Sequence, residues 1–124
     1  MAGDQKFIRD YLSIRHALRE YSGTNSRRLS QRQLEYLLTV GTYTGVIFTE
    51  DQLSQTFRDS ASTVSENVKK LISAGLFEKE SKSGHTRRAR TTLTKEGNEA
   101  YNSLLGGLVK AVEEDPIGRK EPIF

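Results

Sequence analysis

The residues with the most chemical reach are cations and hydroxyls gathered in the third quarter of the chain. Residues 60–95 hold eight basic and three acidic side chains, whereas residues 96–124 hold three basic and six acidic ones. The formal net charge of the whole chain is only +3, so its segregation matters more than its size. Within the basic stretch, Ser62, Ser65, Glu66, Lys69 and Lys70 share a face if the segment is helical. Lys82, in a Lys-Ser-Gly-His turn, and Arg87, Arg88 and Arg90, in a Thr-rich run, follow. Hydroxyls donate to phosphate oxygens, and ammonium and guanidinium groups neutralise them. The pattern therefore fits an anionic partner, of which nucleic acid is the commonest. The competing account is an uneven but merely solvated surface.

Enzymatic and metal chemistry have no comparable pattern. The absence of cysteine excludes disulfides, thiolate zinc sites and thiol redox switches. The two histidines, His16 and His85, stand alone, and no spacing of Ser, Asp and His suggests a triad. Glu50 and Asp51 are adjacent and suit the first turn of a helix, where negative charge complements the dipole. No glycine-rich phosphate loop is visible. No catalytic residue, metal ligand or cofactor is assigned. Met1-Ala2-Gly3-Asp4-Gln5-Lys6 lacks an apolar signal core, and no apolar run approaches the roughly 20 residues that span a bilayer. The expectation is a soluble, cytoplasmic, single-domain protein of 124 residues that makes no membrane contact.

Positioning the cationic face requires a particular order of elements. Phe7, Ile8, Tyr11 and Leu18 carry a helical rhythm across residues 4–21, and the turn chemistry of Ser22–Ser26 ends it. Ser30-Gln31-Arg32-Gln33 reads as a capping box opening a second helix, with Leu34, Leu37, Leu38 and Gly41 on one face. Gly45-Val46-Ile47-Phe48 reads as a brief strand or buried connector. Thr49-Glu50-Asp51-Gln52 is a second capping box, opening a short helix with Leu53 and Phe57 inward. Arg58-Asp59 is a turn. Ser60 caps a further helix that runs to Ala74, with Gly75 as its C′ residue and Val64, Val68, Leu71 and Ile72 facing the core. Glu78–Ser81 and Thr86–Leu93 read as the arms of a hairpin around Lys82–His85. Thr94 caps a last helix from Lys95 to about residue 114, which Asp115-Pro116 closes.

Two short capped helices joined by a tight turn make a helix-turn-helix, and the hairpin that follows makes it winged. The expected fold is mainly α with a small β-hairpin wing. It divides into an N-terminal helix (1–28), a winged helix-turn-helix (29–94), a C-terminal helix (95–114) and a tail (115–124).

The second helix of such a motif lies in the DNA major groove with its N-terminal residues at the base edges. Ala61 can then pack on a thymine methyl, Ser62 and Ser65 permit close approach, and Glu66 can accept from a cytosine amine. Lys69 and Lys70 lie further along the same face. The wing cations Lys82, Arg87, Arg88 and Arg90 suit a narrow minor groove, or else keep an edge strand from aggregating. Arg32, with Arg27 and Arg28, surrounds the start of the second helix and is either a phosphate clamp or part of a soluble loop. Phe7, Ile8 and Tyr11 on the first helix, and Leu104, Leu105, Leu108 and Val112 on the last, make more apolar stripe than one small core covers. A homodimer interface is the simplest outlet; packing against their own domain is the alternative.

From about Leu29 to Gly97 the chain resembles the MarR (multiple antibiotic resistance regulator) family of winged-helix transcription factors. The resemblance rests on Leu29-Ser30-Gln31-Arg32-Gln33, on Ser62-Thr63-Val64-Ser65, and on Leu71 with Gly75-Leu76. It rests also on Arg87-Arg88-Ala89 and on Leu93-Thr94-Lys95-Glu96-Gly97. It implies a homodimer built from the terminal helices that binds a pseudo-palindromic duplex, usually to repress transcription. It places Ser62, Ser65, Glu66 and Lys69 toward bases or phosphates and makes Arg87 the wing arginine. Members usually carry an aspartate two residues before that arginine, where this chain has His85. A single helix follows the wing, which implies a smaller or rearranged dimer interface. Many members respond to small phenolic ligands, but no residue here identifies such a small-molecule effector, and the lack of cysteine excludes thiol-oxidation sensing.

The leading expectation is a dimeric, sequence-specific regulator whose partners are double-stranded DNA and a second copy of the chain. The alternatives are a winged-helix protein–protein adaptor and a nonspecific architectural DNA-binding protein. An adaptor has no need of so many cations on one side, and an architectural protein binds with steep salt dependence but little sequence preference.

Overall fold

A computed structural model describes residues 2–80 and 89–118. Its elements are α1 (Ala2–Thr24), α2 (Gln31–Thr42), α3 (Glu50–Phe57), α4 (Ala61–Ser73), β1 (Phe77–Glu80), β2 (Arg90–Leu93) and α5 (Lys95–Glu114).

The helix starts lie where local chemistry dictates. Ser30 Oγ accepts from the Gln33 amide at 3.2 Å, and Gln33 Oε1 accepts from the Ser30 amide at 2.9 Å, so the first capping box is complete. Thr49, Ser60 and Thr94 accept from the amides of Gln52, Thr63 and Gly97 at 3.2, 3.2 and 2.9 Å. Each cap satisfies an amide that the helix cannot, for about 1 kcal/mol. α1 runs further than its polar end suggests. Ser22 and Thr24 donate back to the carbonyls of Arg19 and Glu20 at 2.9 and 3.1 Å, so hydroxyls expected to break the helix close its last turn.

β1 and β2 pair antiparallel, with Phe77 opposite Leu93 and Glu80 opposite Arg90. Phe48 adds an isolated bridge to Thr91, whose amide donates to the Phe48 carbonyl at 2.7 Å. The segment before it is a connector, and only Phe48 is buried; Val46 and Ile47 are exposed. The return arm expected over Thr86–Leu93 is described only from Ala89 onward, and the hairpin tip at residues 81–88 lies outside the described residues.

One hydrophobic cluster joins all the helices. Leu34, Leu37, Leu53, Val64, Val68, Leu71, Leu76 and Phe77 are at most 1% exposed, and Leu18, Leu104 and Leu108 bring α1 and α5 onto the same cluster. Each full burial contributes about 1.5–3 kcal/mol. Ile72, expected inward, is 37% exposed, because Val64, Val68 and Leu71 already fill the narrow inner stripe of α4. Leu104 and Leu108 are likewise corrected from interface to core. They are 3% and 7% exposed within the single chain, because α5 packs along α1 and onto α2. Phe7, Ile8, Tyr11 and Leu105 remain exposed, and Val112 is half-buried.

The end of α5 is tied to α1. Asp115 takes a left-handed conformation (φ 46) and accepts from Arg9 Nη2 at 2.7 Å, Ser13 Oγ at 3.4 Å and the Gly118 amide at 3.1 Å. The Arg9 contact, then the Gly118 amide, holds its carboxyl below the ordinary carboxylate range.

Candidate nucleic-acid interface

α4 is held from beneath and left open above. Val64, Val68 and Leu71 have no exposed surface. On the other side Ser62, Glu66, Lys69 and Lys70 are exposed, and Ala61 and Ser65 are half-buried. The first turn is rigid. Ser60 Oγ contacts Ser62 Oγ at 3.3 Å and donates to Thr63 Oγ1 at 2.9 Å while it caps the helix. Halfway along, Asn67 Oδ1 accepts from Gln33 Nε2 of α2 at 3.1 Å, which fixes the helix about its axis.

The turn between α3 and α4 is fixed by a polar network that the hydrophobic pattern does not announce. The Asp59 carboxylate accepts from the Tyr36 hydroxyl at 2.5 Å and pairs with Arg32 Nε at 3.3 Å. Its backbone carbonyl accepts from Ser54 Oγ at 2.7 Å. Tyr36 is fully buried. Burial first, and then the bond to Asp59, pushes its phenol up to about 12, so it stays a donor. Arg32 also pairs with Glu35 at 3.2 Å, and its guanidinium carbon lies 5.0 Å from the centre of the Phe57 ring. The Tyr36 and Phe57 ring centroids are 4.9 Å apart. These partners tie the Arg32 side chain to the turn, while 42% of it stays exposed at the start of α2.

At the base of the hairpin, Glu50 is buried at the start of α3 and accepts an ion pair from Lys79 of β1. Pairing across two elements makes a buried charge tolerable. It fixes β1 against α3, and β2 follows through the ladder and the Phe48–Thr91 bridge. Arg90 is exposed at the last described pair. Lys82, Arg87 and Arg88 lie outside the described residues. Arg58, Lys69, Lys70 and Arg90 make no ion pair among the described residues.

Solved structures with the same arrangement decide the architecture. The first is MarR itself, at TM-score 0.69 and 19% identity, covering 98% of this chain and 78% of that one. AbsC, a MarR-family transcriptional regulator from Streptomyces coelicolor, matches at 0.66 and 18%, over 98% and 80% of the two chains. This chain has the MarR-type winged-helix fold. A protein from Listeria monocytogenes, described as a MarR-family transcriptional regulator and solved with a 26mer DNA, matches this MarR-type fold at TM-score 0.63 and 16% identity, over 98% and 77%. No protein-family model matches the sequence, and no curated protein matches it either. At 16–19% identity, the MarR-type likeness to these solved structures resides chiefly in the arrangement of elements.

Within the MarR-type frame, Ala61, Ser62, Ser65, Glu66, Lys69 and Lys70 share one helix. Sequence reasoning passed over Arg58, Asp59, Tyr36 and Asn67. The only local signal was an acidic residue in a tight turn with a tyrosine and an arginine on one earlier helix. Among the described residues no cluster of three or more His, Asp or Glu could hold a metal, and no helix is long and apolar enough to cross a membrane.

Proposed function

We propose that this protein is a sequence-specific, double-stranded DNA-binding transcriptional regulator that acts as a homodimer, most simply as a repressor. The observation that carries the reading is the outward face of α4. Two lysines without ion pairs among the described residues and a row of small hydroxyl residues stand on a helix that a buried apolar stripe and a polar turn hold rigidly. In this reading α4 enters the major groove. Ala61, Ser62, Ser65 and Glu66 meet base edges and Lys69 and Lys70 meet phosphates, while the wing cations Lys82, Arg87, Arg88 and Arg90 reach the minor groove. The crystallised Listeria protein with its 26mer DNA supports such use of this fold. Residues 29–94 form the DNA-reading part. The flanking helices supply the dimer contact through Phe7, Ile8, Tyr11 and Leu105, which the single chain leaves exposed, with Val112 at its edge.

The test is selection of duplexes from a random pool, followed by fluorescence anisotropy on the selected site and on a scrambled control across a salt series. A two-fold symmetric site bound far more tightly than the control supports the reading. Equal binding to both duplexes replaces it with an architectural role. No binding at low salt replaces it with a protein–protein adaptor.

A further inference from the structure

We infer that Arg58, in the turn between α3 and α4, is a phosphate-contacting residue of the DNA interface; this rests on the DNA-binding reading above. Arg58 adopts the left-handed conformation with φ 57. That region disfavours side chains with a Cβ, and the turn of a helix-turn-helix often contains glycine. The chain therefore keeps a long cation where the backbone prefers none, and no contact within the described structure compensates. Arg58 is exposed, and its guanidinium has no ion pair or hydrogen bond among the described residues.

The neighbouring acid does not neutralise it. The Asp59 carboxylate is taken by Tyr36 at 2.5 Å and Arg32 at 3.3 Å, and its side chain is only 13% exposed. Ser54 clamps the Asp59 carbonyl at 2.7 Å, so the turn presents Arg58 from a rigid support three positions before α4 begins at Ala61. A helix lying in the major groove has a phosphate backbone beside each end, and a fixed cation at its entry meets one of them. Arg28 shares the conformation (φ 55) but precedes α2, outside the pair of helices assigned to the duplex.

The test separates the role from the fold. Arg58→Gly relieves the backbone, so its Tm should equal or exceed that of wild type. On the duplex selected by the wild type, its affinity should fall about tenfold, and its salt dependence should lose about one unit of log–log slope. Arg58→Lys should keep most of the affinity and the slope, and Arg58→Asn, which also tolerates this conformation, should behave like Arg58→Gly. Wild-type affinity and slope in Arg58→Gly and Arg58→Asn overturn the assignment alone. A wild type that binds no duplex overturns both the assignment and the reading beneath it.

Discussion

Gly97 should be the least replaceable residue of α5, and a single methyl group tests that. A Cβ built on it would lie 2.0 Å from the carbonyl oxygen of Leu76, far inside contact distance and against backbone that cannot swing away. The same spot is a joint. The Thr94 amide donates to that Leu76 carbonyl at 3.0 Å, the Thr94 hydroxyl donates to the Gly75 carbonyl, and the Gly97 amide donates to Thr94 Oγ1 at 2.9 Å. Gly97→Ala gains up to about 1 kcal/mol of helix propensity. Against this stand about 1–3 kcal/mol of overpacking and about 1 kcal/mol for each hydrogen bond that the displaced turn loses. The net expectation is a loss of about 2–3 kcal/mol, or roughly 10 °C in Tm for a chain of this size. The assay is thermal and urea unfolding at fixed protein concentration, with Gly106→Ala in the same helix as the opposite-signed control. A Cβ at Gly106 meets nothing within 4 Å, so alanine there should stabilise by about 1 kcal/mol. A Gly97→Ala protein as stable as wild type would refute the argument, because it would mean that Leu76 and α5 can separate at no cost.

Adjacent leucines of α5 should divide stability from assembly. Leu104→Ala should cost about 3 kcal/mol in unfolding, whereas Leu105→Glu should halve the mass seen by light scattering and remove the dependence of Tm on protein concentration. Tyr36→Phe removes a donor from the Asp59 carboxylate and should destabilise by about 1.5–3 kcal/mol in urea titrations; an unchanged midpoint would show that Arg32 alone suffices. Asp115 has a depressed folded-state pKa, so its contribution is present at neutral pH and lost as pH falls through that value. The Tm gap between wild type and Asp115→Asn at pH 7 should close in strong acid, and a gap independent of pH would sink the Arg9 assignment.

The parts of this fold that were legible in the sequence are those decided within four residues. Ser30, Thr49, Ser60 and Thr94 all cap helices in the structure, because a cap needs only its own hydroxyl and an amide two or three positions on. Gly75 ends α4 with φ 79 for a similarly local reason. The division of α5 was not legible. Periodicity defines an apolar stripe on Leu104, Leu105, Leu108 and Val109, but not which half meets the chain's own α1. The resulting exposures are 3%, 39%, 7% and 50%. Around the candidate site, the outward face of α4 followed from helix geometry, whereas the polar turn beneath it joins positions 23 residues apart that no local pattern pairs. The longer-range ties of Arg32 were not legible for the same reason: Asp59 and Phe57 lie in the turn and in α3, and only Glu35 shares its helix.

The buried pair between Glu50 and Lys79 bears on how the molecule opens. A two-stranded hairpin alone is marginal in water, and this one could be expected to fray independently of the helices. Its lysine, however, is only 18% exposed and pairs with a carboxylate that is 6% exposed, so parting β1 from α3 leaves the Glu50 carboxylate without that cation. Hairpin base and α3 therefore open together as one cooperative unit. Amide protons in the β1–β2 ladder and in α3 should exchange with solvent at similar free energies, close to that of global unfolding, rather than at the low values of a free-standing arm.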